Sequence, residues 1–410
     1  MIFFILFSFY FSLDDVEYDF YKYERFLKQE FIKSFYPIFE KSKKTNLTCG
    51  VKSVYNEDTL ILDPKISLDG KLLKDLYFYF EIFARKTNLD SIYPFKEWNG
   101  ILRADYLRGM IFWKKGKFTF GYGRDKIKIG FGENLLLVNF PYGFDHFRFV
   151  YSDKNLNFYY VHGYLGDRYG DAKRYWVLHR VEYLFRKIST KLAFSEVSLY
   201  GGKYRNIDWY YLNPFFLYYV YQWNYHYDDN YFWDIEILSR VYKKFYLRAE
   251  FLIDDYQYSP PEDSEPNEIG YVVESYYVNK KFYFNLGYLR ILKWTYNYKY
   301  DWGRYLYQKE CIGYQDGNDL DKFFVNFRYF PNDKMFLGLK FIYKRKGEGD
   351  IEDKWPEDVF PREDFPSGNV KFYKKYGFEL GLKKGFYNLK CVLSYPLSLF
   401  INLRINFEVL

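Results

Sequence analysis

No run of about eighteen apolar residues occurs in the 410-residue chain, so no segment of it is suited to crossing a bilayer as a helix. Cysteine is scarce. Cys49, Cys311 and Cys391 stand too far apart for a metal motif, and their odd number leaves at least one thiol without a partner in the chain. Histidine is scarce too: His146, His162, His179 and His226 are the full set, and none sits in a readable Ser/His/Asp spacing. The chain is therefore read as non-enzymatic. The net charge of +7 is mild for this length and no Lys/Arg run dominates a segment, which argues against a nucleic-acid partner. The glycine-rich run "GYGRDKIKIGFGEN" is followed by no helix, so it is not a phosphate loop, and no cofactor is expected.

What the chain has in excess is aromatic side chains: Tyr 50, Phe 45 and Trp 9, or 25% of all residues. Part of that reflects a bias of composition towards Lys, Ile, Asn, Phe and Tyr. The rest fits strands and membrane interfaces, where aromatics are favoured.

From about residue 75 the side chains alternate with a period of two. In "KFTFGYG", Phe118, Phe120 and Tyr122 share a face. In "FYLRAEFLI", Phe245, Leu247, Ala249, Phe251 and Ile253 oppose Arg248 and Glu250. In "MFLGLKFIYK", Met335, Leu337, Leu339, Phe341 and Tyr343 oppose Gly338, Lys340 and Lys344. In "FINLRINFEVL", Ile401 to Val409 alternate with Asn402, Arg404, Asn406 and Glu408. Each segment is about ten residues long, the length of a tilted membrane strand. The connections alternate in length as well. Short turns at 152, 242, 279, 331 and 383 are interleaved with long loops at roughly 163–174, 201–231, 254–268, 292–320 and 346–369. That alternation is the signature of an outer-membrane barrel, and a soluble sandwich has no reason to keep it.

The fold expected is all-β: a transmembrane antiparallel barrel of about 16–18 strands over residues 45–410, with a short N-terminal helical segment. Residues 1–13 are read as a degenerate signal-like segment and residues 14–44 as periplasmic and helical, with an amphipathic helix over 16–40 that breaks near Pro37. The mean hydropathy of −0.41 is no objection, because half of each strand faces water. The apolar stripes then meet lipid. The charges opposite them face the lumen: Arg148, Arg180, Glu182, Glu196, Asp234, Glu236, Arg240, Arg248, Glu250, Glu274, Arg328, Lys340, Lys375, Glu379 and Arg404. Their mixed signs suggest cross-lumen pairs such as Arg180–Glu196, and Asp234 or Glu236 with Arg248, where an anion pore would show one sign. Cys391 is expected to be a free thiol facing lipid.

The densest motif is "GYGRDKIKIGFGENLLLVNFPYGFDHFRF". Its alternation slips by one residue between Tyr122 and Ile127, so a bulge or an end of pairing is expected near Arg124–Asp125. Here the chain resembles the Wzi capsule-assembly family of outer-membrane proteins. The matching stretches are "GRDKIKIGFGEN", "FPYGFDHFRF", "LHRVEY", "FSEVSLYGG", "YLNPF", "YQWNYHYDDN", "LRAEFLIDDYQ", "PNEIGY" and "WTY", in order over residues 117–345. The resemblance implies a closed barrel of about eighteen strands. It also implies a lectin-like, non-enzymatic role in binding or organising exported capsular polysaccharide at the surface of the bacterial outer membrane. Three features depart from what the resemblance implies: the N-terminal helical part is short, the signal-like segment is poor, and the sequence ends on Leu410 where such barrels usually end on an aromatic.

The residues expected to meet polysaccharide are Arg124, Asp125, Lys126, Glu133, Asn134, Asp145 and Arg148 of the dense motif, and Arg180 and Glu196 of the lumen. To these are added Trp209, Asn213, Gln222 and Trp223 of the 201–231 loop, which is expected to pack against or into the lumen mouth. Outer-membrane lipid is the second expected partner, and the protein is expected to be a monomer. The alternative reading is a porin-type diffusion channel for small solutes. The 346–369 loop holds eight acidic and three basic residues. Self-repulsion would make it a solvated, mobile loop; alternatively, its carboxylates would gather a divalent cation.

Overall fold

The computed structural model describes residues 45–56, 59–85, 97–98, 102–140, 142–169, 172–256, 266–332, 334–356, 364–384, 387–395 and 398–409. The expected signal-like segment and N-terminal helix lie outside them. No described helix is long and apolar enough to cross a membrane.

Among the described residues, a short two-residue strand, Glu97–Trp98, and eighteen longer strands form one antiparallel sheet, and the eighteen longer strands make up the barrel wall. They are β1 (Thr45–Asn56), β2 (Thr59–Leu73), β3 (Leu76–Arg85), β4 (Leu102–Lys115), β5 (Phe118–Asp125), β6 (Phe144–Ser152), β7 (Leu156–Tyr169), β8 (Ala172–Phe185), β9 (Thr190–Lys203), β10 (Asn230–Tyr242), β11 (Phe245–Asp255), β12 (Glu268–Val278), β13 (Phe282–Ile291), β14 (Leu320–Asn332), β15 (Met335–Lys346), β16 (Lys371–Lys384), β17 (Tyr387–Tyr395) and β18 (Ser398–Val409). Each pairs with its neighbour in sequence, and β1 pairs with β18 from Thr45 opposite Val409 to Asn56 opposite Ser398, which closes the barrel. Closure leaves no edge strand exposed, the condition for a sheet to sit in lipid.

The connections on one rim span at most four residues. The opposite rim carries the long ones, between β3 and β4, β5 and β6, β9 and β10, β11 and β12, β13 and β14, and β15 and β16. The loop expected at 163–174 is absent. There β7 and β8 stay paired as far as Tyr169 and Ala172, and the pairing absorbs an irregularity at Gly166, whose φ of 91° suits glycine. The slip expected near Arg124–Asp125 is an end of pairing: β5 stops at Asp125.

The two faces of the sheet separate as the alternation requires. Phe118, Phe120, Tyr183, Ile235, Leu247, Val273, Leu339 and Phe378 are exposed on the outer wall. The inward face is buried and charged, with Arg180, Glu182, Asp234, Glu236, Arg248, Glu250, Glu274, Arg328 and Glu379 among its members. Arg240 and Lys375 also fall in the inward register but are exposed. Cys391 is a free, half-buried thiol in the same outer register as exposed Leu393.

The chain itself occupies much of the interior. After β5, residues 126–140 carry Ile127, Ile129, Leu136, Leu137, Val138 and Phe140 into a buried cluster with the inward wall residues Trp176, Leu178, Val197, Leu199, Phe232, Leu252, Val272 and Leu289. Tyr296, Tyr305, Leu306, Tyr307 and Ile312 of the 292–319 connection join the same cluster. Burying this many apolar side chains removes them from the water that a lumen would otherwise hold. Phe131 reaches a second cluster nearer the short-turn rim, with Ala193, Leu238, Tyr246, Tyr276 and Tyr283.

Candidate functional site

Between the two apolar clusters lies a layer of charge. Arg180 donates to Glu182 at 2.9 Å, Ser195 at 2.9 Å, Asp234 at 3.4 Å and Glu236 at 2.6 Å. Arg248 bridges Glu236 at 2.6 Å and Glu274 at 2.6 Å, and also bonds Glu250. These groups are almost wholly out of water, and buried charge is tolerable only when paired and hydrogen-bonded to this extent. The in-folded segment is tied to the same carboxylates. The Phe131 N–H donates to Glu236 at 3.1 Å, and the Leu136 and Leu137 N–H groups donate to Glu250 at 2.8 and 3.2 Å. Asn134 donates to Glu274 at 2.9 Å and accepts from Lys322 at 2.5 Å. Arg180 and Lys191 stand over the Phe131 ring at 4.9 and 4.6 Å. The mixed lumen charge thus anchors the in-folded segment to the wall.

The expected site residues divide into three places. Asn134, Arg180, Asp125 and Arg148 belong to the interior; Arg148 donates to Asp125 at 3.1 Å, and Arg108 bonds the same carboxylate. Glu133 is exposed, and Lys126 stands 5.9 Å from the centre of the Tyr142 ring. Arg124 and Asp145 face each other across β5 and β6 at 2.5 Å, in the outer-face register near the long-loop rim. The third place is the outer wall, and here two expectations are corrected.

Glu196 does not face the lumen and does not pair with Arg180. On β9 it keeps the register of exposed Leu192 and Phe194, and it stands opposite His179, which shares the register of exposed Val181. The 204–229 connection, in turn, does not enter the lumen mouth. It folds down over the outside of the barrel. Its helix α1 (Tyr218–Tyr225) starts on Glu196, which accepts the Tyr218 and Tyr219 N–H groups at 2.8 and 2.9 Å, Trp233 Nε1 at 3.0 Å and His179 Nε2 at 2.9 Å. A carboxylate buried on the outer wall needs this many donors, and the start of a helix supplies two of them. Tyr211, Tyr218 and Tyr221 pack against the outward residues Tyr160, Tyr175, Val177, Tyr200 and Tyr231. Asn213 caps the Phe215 N–H at 3.0 Å, and Gln222 donates to the Asp229 carbonyl at 3.2 Å. Trp209 and Trp223 are exposed, on this excursion and not at the lumen mouth. Near its end, Asp229 accepts from Arg205 at 3.1 Å and from Tyr211 at 2.8 Å, yet burial pushes its carboxyl up to about 6.

At the long-loop rim the structure brings together residues that the sequence reading did not single out. In the 292–319 connection, Tyr300 and Trp302 stack at 5.7 Å and 10°, with Tyr298 set edge-on to both at 6.1 Å. Lys299 pairs with Asp228 at 2.7 Å, the Tyr300 hydroxyl donates to the same carboxylate at 3.2 Å, and Arg304 pairs with Asp301 at 2.8 Å. Arg174 of β8 fixes this turn from below. Its guanidinium donates to the carbonyls of Trp302 at 2.7 Å, Arg304 at 2.8 Å and Leu306 at 2.9 Å. Asn230 adds a bond to the Gly303 carbonyl at 2.9 Å. The result is a rigid aromatic platform flanked by charged hydrogen-bonding groups. The alternation of aromatics in "WTYNYKYDW" is its trace in the sequence.

The acidic 347–370 connection is held down in its described part. Ile351 is buried in the apolar cluster, Trp355 packs on Trp294 at 5.7 Å, and Asp319 accepts from the Gly349 N–H at 2.8 Å, the Ser367 N–H at 3.0 Å and the Ser367 hydroxyl at 2.7 Å. In the described part this departs from the expected solvated, mobile loop, because apolar anchors outweigh the repulsion. Asp350 and Asp353 spend oxygens on turn bonds to the Glu352 and Asp350 N–H groups. No group of three metal-ligating side chains occurs among the described residues.

No family model matches the chain, and no curated protein matches it either. Solved structures do. The fold is similar to that of Wzi, described as an outer-membrane protein involved in Group 1 capsule assembly in Escherichia coli and as a carbohydrate-binding β-barrel. The TM-score is 0.64 at 10% identity, over 90% of this chain and 85% of that one. It is also similar to OccD3 (OpdP) of Pseudomonas aeruginosa, with a TM-score of 0.51 at 9% identity over 90% and 92% of the two chains. A third likeness is to OccAB1 of Acinetobacter baumannii, at 0.51 and 11% over 90% and 96%. At these identities the likeness is one of fold: this chain has the fold of an outer-membrane β-barrel.

Proposed function

We propose that this barrel resides in the bacterial outer membrane and binds or organises exported capsular or other surface polysaccharide, without catalysis. The observation that carries the reading is the Tyr300–Trp302 platform, fixed at the long-loop rim by Arg174 and flanked by Lys299, Asp228, Asp301 and Arg304. Stacked rings offer apolar faces to the C–H side of a sugar, and charged groups at their edge take up its hydroxyls. A site held rigid before the ligand arrives loses less ordering entropy on binding. The likeness in fold to Wzi, itself described as carbohydrate-binding, supports the same reading.

A porin-type channel for small solutes is the second reading. In its favour, Lys340 and Lys375 on the inward faces of β15 and β16 remain accessible to water. Against it stands the segment 126–140, pinned to Glu236, Glu250 and Glu274 inside the barrel.

The experiment is binding of the purified protein in lipid nanodiscs to surface polysaccharide from the producing bacterium. Y300A/W302A is expected to weaken binding about tenfold or more, at ~1–2 kcal/mol for the lost stacking. Equal binding by the variant and the unmodified protein would remove the platform from the account.

A further inference from the structure

Phe215, Phe216, Leu217, Val220 and Trp223 are exposed on the 204–229 excursion, with Phe215 at 77% and Trp223 at 71%. Exposed apolar groups gathered in one place need a reason. Tyr219, Val220 and Trp223 lie on one side of α1, whereas Tyr218 and Tyr221 are buried against the barrel wall. The helix is therefore two-faced, with aromatics on both sides.

The exposed face continues the apolar outer wall. Phe215 stacks on Phe158 of β7 at 5.5 Å and 13°. Tyr219 sets edge-on to Trp233 of β10 at 4.9 Å, and Trp233 neighbours Phe194 of β9, one of the exposed wall residues. Beneath the helix the polar groups are paired against the wall, while Asn224 stands among the exposed residues of α1. Glu196 holds the start of α1, and the hydroxyls of Tyr211 and Tyr231 bond each other beneath it. The exposed Phe215, Phe216, Leu217 and Val220 offer no hydrogen-bonding side chain to a sugar or to water.

We infer that α1 and the adjoining Phe215–Leu217 turn form an anchor in the outer leaflet, with lipid acyl chains and the headgroup boundary covering their exposed face. Short helices with an aromatic apolar face settle at that depth, where Trp and Tyr favour the interface. The anchor also covers Glu196, so a buried carboxylate on the outer wall stays hydrogen-bonded instead of facing lipid. This role is separate from the polysaccharide platform and stands or falls without it.

A nitroxide label at Val220→Cys, in the full chain with Cys49 and Cys391 replaced by serine, tests the inference. The protein is reconstituted into phosphatidylcholine vesicles containing lipopolysaccharide. Labels at Ile235→Cys on the outer wall and Glu352→Cys on the 347–370 connection serve as references, and Phe215→Cys provides a second reporter of the anchor. The ratio of nickel-chelate to oxygen accessibility at 220 and 215 is expected to resemble that at 235, about fivefold or more below that at 352. Nickel accessibility at 220 and 215 equal to that at 352 would overturn the anchor. So would spin–spin broadening between 220 labels, which would give the face to a second copy. So would protection of a nickel-accessible 220 label by added surface polysaccharide, which would give the face to the sugar.

Discussion

Gly132 lies against the guanidinium of Arg248: a Cβ added at 132 would stand 2.7 Å from Arg248 Cζ. Arg248 cannot swing away cheaply, because Glu236, Glu250 and Glu274 all hold it. Gly132→Val is therefore expected to lower stability by about 1–3 kcal/mol, read as a lower midpoint of thermal unfolding in detergent. An unchanged midpoint would show that the in-folded segment does not depend on this contact.

Arg248→Met should cost more. It leaves three buried carboxylates short of a cation, at about 3–5 kcal/mol for one broken buried network. Arg124→Met is the contrast. Its partner Asp145 has a side chain 48% exposed, and loss of that rim pair should stay within about 1 kcal/mol. Denaturant unfolding of the two variants side by side checks the ordering, and equal losses would contradict it.

The strands were legible because a period of two leaves no ambiguity when one face is Phe118, Phe120, Tyr122 and the other Thr119, Gly121, Gly123. The destination of residues 126–140 was not legible. Ile127 and Ile129 alternate like any strand, and what holds their segment inside lies far along the chain: Glu236, Glu250 and Glu274, and the apolar wall residues that bury it. The charge of Glu196 points to a lumen in the sequence; the donors that make an outer position tolerable come from Tyr218, Tyr219, Trp233 and His179, on other elements. The aromatic content of the 204–229 excursion is plain in the sequence, but aromatic content alone does not distinguish the mouth of a barrel from its outer wall. The Tyr300–Trp302 platform is not legible in the sequence, because it becomes a surface only once Arg174 folds the turn.

Docking of the excursion should depend on pH through Asp229. Burial raises its carboxyl to about 6, even with Arg205 and Tyr211 beside it, and the nearby Asp208 charge pushes the same way. The docked state thus holds a proton more tightly than the undocked one. Its stabilising contribution is present at low pH and is lost as pH rises through about 4 to 6, by at most about 3 kcal/mol. Hydrogen exchange of the α1 amides should be slower at pH 4 than at pH 7 once corrected for intrinsic rates, and Asp229→Asn should flatten the difference. Faster corrected exchange at pH 4 would contradict the sign.

Orientation follows from the rims. The short-turn rim should face the periplasm and the long-loop rim the outside. In intact cells an impermeant thiol reagent should label Glu352→Cys readily and Asn332→Cys only after the outer membrane is breached. Ready labelling of Asn332→Cys in intact cells would invert the barrel.

The central claim is that the barrel holds polysaccharide at its rim instead of passing solutes through its lumen. Planar-bilayer conductance of the purified protein tests the second half most directly. With insertion verified by a fluorescent label, the account predicts no steady current through the unmodified protein, because residues 126–140 stay pinned to Glu236, Glu250 and Glu274. A steady open current carried by the unmodified protein would contradict it and make the barrel a channel.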